Sequence, residues 1–384
     1  MTNYQLILSS FSIVLCTLVL GCKNSSDLIL EATPSSQNIN LKRAEIAIPV
    51  DSLGLSVYGT DPIIYKTGND FLLYAYNTPQ HSIDVYNLTQ QAFKSRIKLH
   101  RDGPNQVNKV YNSYVLNPDS IYIMGKGKLY LLNQLGEVTT SYNTIFEASE
   151  NTEGGYFHSP NEANFIIEHG GAAMLGFFIH YNTISTERTL ESLSNPILGR
   201  LNLKDEGLSF YPVTYSQFIQ QNQGDFSELK PNFTFTANQL IYNWPIESNI
   251  YTFEYKSGKK KILGAKSDFS ANAALTITGN SKYDYRNEGT WFNSIKPYPG
   301  TKLYYRTHWG SQPRTTPNGD KTDASTKPGY IMLLSENFEV IEEIELDSDC
   351  FLEGSFATND GIFFWAKDGM NENEMKFCVY SVNQ

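Results

Sequence analysis

Residues Tyr330 to Leu346 read YIMLLSENFEVIEEIEL: an apolar strand, a short polar turn, and a second strand in which apolar and acidic residues alternate. Period-2 alternation on both sides of a turn is the mark of an antiparallel hairpin. The same unit starts near Ile83 (IDVYNLTQQAFKSRIKL), Leu129 (LYLLNQLGEVTTSY), Ile197 (ILGRLNLKDEGLSFYPV) and Tyr251 (YTFEYKSGKKKIL). A sixth copy opens at Lys376 as KFCVYSVNQ and reaches Gln384 before its second strand. Hairpins recurring at intervals of roughly 46 to 80 residues indicate one antiparallel sheet per repeat, the arrangement of a β-propeller.

Each hairpin supplies the third and fourth strands of a blade, and the first two are read upstream. The pairs are Ile63–Lys66 with Phe71–Tyr76, Ser113–Leu116 with Ser120–Met124, 164–167 with Ala173–Phe178, Phe233–Thr236 with Gln239–Tyr242, Trp291–Ile295 with Lys302–Thr307, and Cys350–Phe356 with Gly361–Ala366. This predicts an all-β fold, a six-bladed propeller of four-stranded antiparallel blades over residues 44–384. The last blade lacks a fourth strand, while AEIAIPV at Ala44–Val50 precedes the first blade without a partner. Closure of the ring by this N-terminal strand satisfies both, and Pro49 suits an outermost strand because it donates no hydrogen bond.

In such a meander the connections from first to second and from third to fourth strand fall on one face of the disc. Connections from second to third strand, and from each blade to the next, fall on the other. The first set is short throughout, as in KTGND at Lys66 and NPDS at Asn117. The second holds the long segments 143–161, 179–196, 216–230, 264–290 and 310–329. Long connections on a rigid scaffold are where binding groups are carried, so this face is the expected site of function.

The N-terminus carries a separate message. Leu6–Leu20 is an apolar run of signal-peptide length, too short for a comfortable membrane span. It ends in Val19-Leu20-Gly21-Cys22, which resembles a bacterial lipobox, and that resemblance implies a diacylglyceryl group on the Cys22 thiol. Met1–Gln5 contains no Lys or Arg, so only the α-amino group charges the segment before the run; an ordinary cleaved signal is the alternative. The expected organisation is a lipoprotein signal peptide at 1–21, a flexible polar tether at 22–43, and the propeller. That places the domain in the periplasm or at the surface of a bacterial cell envelope, with the outer membrane the expected anchor.

Composition narrows the partners. With 30 Lys plus Arg against 40 Asp plus Glu, the chain lacks the basic surface that nucleic acid requires. The basic run at Lys259–Lys261 reads as a solvated strand edge. Cys350 and Cys378 belong to the last blade; if Cys350 opens its first strand, a whole strand separates the two, about 9–10 Å at the usual strand spacing. That exceeds disulfide reach, so buried free thiols are expected.

The run Leu99-His100-Arg101-Asp102-Gly103-Pro104-Asn105-Gln106-Val107, with the YNL hairpin before it, resembles a segment of a domain-of-unknown-function family of lipoproteins from Bacteroidota-type bacteria. Those proteins are similar in architecture to TolB-like six-bladed propellers. The resemblance spans the mature domain and implies fold and envelope location; it implies no activity. Arg101 and Asn105 become candidate ligand contacts.

No local metal motif is present: the histidines at 81, 100, 158, 169, 180 and 308 form no HxH or HExxH pair. The alternate oxygen donors of 318–323 lack the bidentate Glu of a calcium loop. Neither a cofactor nor a catalytic residue is expected. Tyr76-Asn77, Tyr242-Asn243-Trp244 and Arg306-Thr307-His308-Trp309 end the second strands of three blades and are expected, with His158, around the channel mouth. Such a rim would stack sugar faces and bind hydroxyls. The sequence therefore points to a non-catalytic envelope module that binds a glycan, peptide or protein partner. The alternative is a propeller hydrolase or lyase acting on saccharides or lactones, whose acid and base would converge on the same mouth.

Overall fold

A computed structural model describes residues 28–37, 39–55, 58, 61–148, 154–158, 165–183, 189–277, 285–322, 326–367 and 373–382. After β1 (Leu41–Pro49), blade one is β2 (Ile63–Thr67), β3 (Asp70–Asn77), β4 (Ser82–Asn87) and β5 (Ala92–Lys98). Blade two is β6 (Asn112–Asn117), β7 (Ser120–Met124), β8 (Lys128–Leu132) and β9 (Val138–Asn143). In blade three, β10 (Ile145–Phe146) and β11 (Gly155–Phe157) are added to β12 (Phe165–Ile167), β13 (Ala173–His180), β14 (Leu198–Asn202) and β15 (Leu208–Tyr211). Blade four is β16 (Asn232–Phe235), β17 (Gln239–Asn243), β18 (Ile250–Glu254) and β19 (Lys260–Leu263). Blade five is β20 (Trp291–Tyr298), β21 (Leu303–Trp309), β22 (Gly329–Leu334) and β23 (Val340–Glu345). Blade six is β24 (Phe356–Thr358), β25 (Gly361–Trp365) and β26 (Glu374–Val382), with β1 as its fourth strand.

Burial follows from position in the blade. Third strands lie between neighbouring sheets, and every residue of β4 and β22 is buried. Fourth strands face solvent on one side, and in β9 half-buried and exposed residues alternate. First strands meet across the axis, β2 with β6, β6 with β12, β16 with β20 and β20 with β24. Apolar clusters fill the seams; one joins blades three and four through Phe177, Leu198, Phe233, Tyr242 and Trp244.

Closure by the N-terminal strand is antiparallel, as expected: Ala44 lies opposite Val379, Ile46 opposite Phe377 and Ile48 opposite Met375. Ile48 is fully buried, and Pro49 lies on the open edge of the outermost strand.

Two expectations are corrected. Cys350 and Cys378 form a disulfide, with Cα atoms 6.2 Å apart. Cys350 does not open the first strand, which begins only at Phe356; it bridges Ala366 past the end of β25, and a turn at Glu353–Gly354 separates it from β24. Regular strand spacing therefore does not apply to it. The segment assigned to the flexible tether 22–43 is docked from Leu28 onward, and β1 already begins at Leu41. Asn249 binds it at both ends of its amide, accepting from Leu30 N at 2.9 Å and donating to Leu28 O at 2.8 Å. Ile29 is buried in the blade-four cluster, and Pro34 bridges Val340 on β23. The sequence LILEATPSSQNIN at 28–40 carries no strand period, and among its described residues Ile29 alone is fully buried. Cys22 lies outside the described residues.

Candidate functional site: a cleft between blades two and three

The long connection 143–161 does more than cross between blades. Its ends form β10 and β11, which pair with each other and extend the upper half of β13: Gly155, Tyr156 and Phe157 lie opposite His180, Ile179 and Phe178. Glycine is required at 155, where a Cβ would stand 2.3 Å from Ile179 O. Across the seam, the turn Gly125–Gly127 joins β7 to β8, and Gly127 takes φ +72°, which a side chain would strain. Between them lies a cleft of about 460 Å³ lined by Tyr111, Lys126, Thr144, Tyr156, His158 and Tyr181, among others.

Its chemistry is aromatic with one base. Tyr156 lies 6.3 Å from Tyr181 and 5.9 Å from His158 between ring centroids, and Lys109 Nζ sits 4.7 Å over the Tyr111 ring. His158 N donates to Phe177 O at 2.9 Å, which fixes the backbone, while Nε2 of the ring is buried without a partner. Burial, reinforced by the positive charge of Lys230, pushes the imidazole down to about 4, so it is neutral at ordinary pH. A neutral imidazole and a tyrosine rim can bind hydroxyls and stack on an apolar ring face.

Of the sequence candidates, only His158 lines this cleft. The expected rim of second-strand ends is absent because second strands stand one place out from the axis, and their side chains enter the seams between blades. Asn77 is fully buried and donates to Leu53 O and to Asp84, both at 2.8 Å. Trp244 is fully buried against Tyr242 and Tyr251. Arg101 is exposed, its carbonyl accepting from Gln106 Nε2 at 2.6 Å, and Asn105 Oδ1 accepts from Val138 N at 3.2 Å. Arg101 serves the turn, and Asn105 ties it to the start of β9. Trp309 is half-buried, opposite Trp291 and Gly329.

Asn243, Arg306 and His308 do converge, but under the surface. Arg306 donates to Ser248 O at 2.7 Å and Ala265 O at 2.6 Å, and lies 4.6 Å over Phe292. Asn243 Nδ2 donates to Phe292 O at 3.3 Å, and His308 stacks near Phe292 with Nε2 3.2 Å from both Ser267 Oγ and Glu343 Oε1. Serine and carboxylate thus share one ring nitrogen, whereas a catalytic triad places them on opposite nitrogens. All three side chains are fully buried, and desolvation lowers Arg306 to about 9. This cluster pins the connection after β19 to blade five. Among the described residues, Asp349, Cys350 and Cys378 gather as potential metal ligands, but the sulfurs are bonded to each other.

Residues 39–345 match the model of a domain of unknown function, DUF4221. The chain belongs to this family. It is similar to a DUF4221 family member from Bacteroides vulgatus ATCC 8482, with a TM-score of 0.73 at 17% identity over 91% of this chain and 100% of that one. It is also similar to a protein from Bacteroides fragilis NCTC 9343 whose name proposes export, with a TM-score of 0.57 at 11% identity over 92% and 99% of the two chains. At these identities the likeness shows the fold. No curated protein matches the sequence.

The tyrosines and Lys126 were missed by the sequence reading. Of these, only Tyr156 lies in the long connection 143–161; Tyr111, Lys126 and Tyr181 come from three other places in the chain.

Proposed function

We propose that this DUF4221 member is an exported, lipid-anchored binding module whose aromatic cleft takes a small polar ligand with an apolar face, a glycan unit being the best fit. The cleft carries the reading: its volume lies in the range of small-molecule sites, and its lining sets tyrosine rings beside the imidazole of His158. No carboxylate is among its described lining residues, so the paired acids of glycoside hydrolysis are not assembled by them. Export is supported by the apolar leader, by the disulfide, which persists in oxidising compartments, and by the name of the Bacteroides fragilis relative. The anchor reading rests on Val19–Cys22.

Calorimetric titration with a panel of mono- and disaccharides tests the cleft. At least one should bind, and Tyr156→Ala should weaken it about tenfold, or about 1.4 kcal/mol. Affinity should be flat from pH 5 to 8, because His158 stays neutral there. A panel without binders, or binding indifferent to Tyr156→Ala, refutes the assignment. Cys22→Ser should shift the protein out of the membrane fraction.

A further inference from the structure

The docked N-terminal segment fixes where an anchor would pull. Leu28 and Ile29 share one apolar cluster with Ala273 and Ala274. The same connection is stitched to blade four through Ser248 N to Asn272 O at 3.0 Å and Ala274 N to Ile246 O at 2.8 Å. Residues 246–249 join a second to a third strand, so this is the long-connection face. Chain from Leu28 to Cys22 is six residues, which span at most about 22 Å fully extended.

Around this point the surface is apolar. Leu30 is 39% exposed, Leu275 55% and Ile277 45%. Of the ten large apolar side chains exposed among the described residues, only Leu135 stands on a turn of the opposite face. Charge does not define the rim, since Lys266 is paired with Glu31 of the docked segment.

We propose that the blade-four rim formed by Leu30, Leu275 and Ile277 rests on the bilayer that holds the acylated Cys22, an inference that depends on the anchor reading. Tether length decides between a bilayer and a protein partner. A small domain is about 30 Å across, more than the maximum reach of about 22 Å, so no globular partner fits between rim and membrane. Aliphatic side chains held at that distance partition into the headgroup boundary and add to the hold of the acyl chains.

The test uses the full acylated chain in phosphatidylcholine vesicles, with an environment-sensitive nitrobenzoxadiazole label at Leu275→Cys or, on the opposite face, at Leu135→Cys. Both positions are exposed, so the label leaves packing undisturbed. Label at 275 should brighten about threefold and shift to the blue when vesicles are present, equally at 0.1 and 0.5 M salt; label at 135 should not respond. Equal responses at the two sites, or no response at 275 in protein that floats with the vesicles, overturn the inference and leave the anchor standing. Absence of flotation by the acylated chain, or flotation of Cys22→Ser to the same extent, overturns the anchor reading and the inference with it.

Discussion

Glu247 is fully buried beneath the docked segment, hydrogen-bonded by Tyr251 Oη and Asn249 Nδ2, each at 2.9 Å. Burial pushes its carboxyl up to about 7, against these donors and Ser216, which favour the charged form. The folded state therefore holds a proton that the unfolded chain releases near the ordinary carboxylate value. Stability from this group is complete below about pH 4.5 and is lost as pH rises through about 7, a swing on the order of 3 kcal/mol. Glu247→Gln should flatten the pH dependence of urea unfolding between pH 5 and 8 and be the more stable protein at pH 8. Parallel stability curves for the two proteins would show that Glu247 does not titrate in this window. Asp84, also fully buried, accepts from Tyr58 Oη at 2.7 Å, Asn77 Nδ2 at 2.8 Å and Arg96 Nε at 2.6 Å.

Among elements, the third-to-fourth-strand hairpins share one backbone feature although their turns come in two lengths. Gln91, Gly136, Glu206, Gly258 and Phe338 each take positive φ at the corresponding place before the fourth strand. Only two of the five are glycine, so alternation in the strands revealed the hairpins while their turn chemistry stayed hidden. The same logic explains how much of the blades was legible. Eleven of the twelve expected first and second strands, from Ile63 to Ala366, fall within a few residues of those observed, because each is a short apolar run bounded by turn residues. Cys350–Phe356 failed because its apolar residues pack from a turn. Residues 28–40 failed because docking there rests on one buried isoleucine, the Asn249 amide and a bridge to Val340, none of which makes a pattern. These contacts change the expected effect of truncation. Removing residues up to 40 deletes the Ile29 and Asn249 contacts and should lower stability by about 2–4 kcal/mol. Removing residues up to 50 also deletes β1 and should abolish cooperative folding. Equal melting temperatures for the first truncation and the full domain would show that the docked segment contributes nothing.

For the whole molecule, one seam turns a row of sheets into a ring. The β1–β26 ladder joins the two ends of the chain's path, and beside it blades one and six share an apolar cluster through Tyr58, Leu73, Phe363 and Trp365. Ile48→Lys would bury a charge opposite Met375, costing several kcal/mol unless the strand detaches. Calorimetry should show one transition for the natural chain and an earlier, broader one for this variant, as blades one and six lose their brace. A sharp transition at the original temperature would mean that closure adds little to cooperativity. The ring was legible in the sequence because an orphan strand and an incomplete blade call for each other. The cleft was not, because a site assembled from 111, 126, 144, 156, 158 and 181 leaves no local spacing to read.

The seam also sets an order of events during synthesis. β1 is made early, yet its partner strand lies near the other end. At about 5–20 residues per second, the stretch from Pro49 to Glu374 occupies roughly 15–65 s. Through that interval β1 must wait as a bare edge, and its sequence is suited to waiting: Lys42, Arg43 and Glu45 carry charge, and Pro49 interrupts the backbone donors. A chain broken off before β26 can never engage it. Ring closure thus requires both ends of the chain, and a product lacking β26 keeps an open rim.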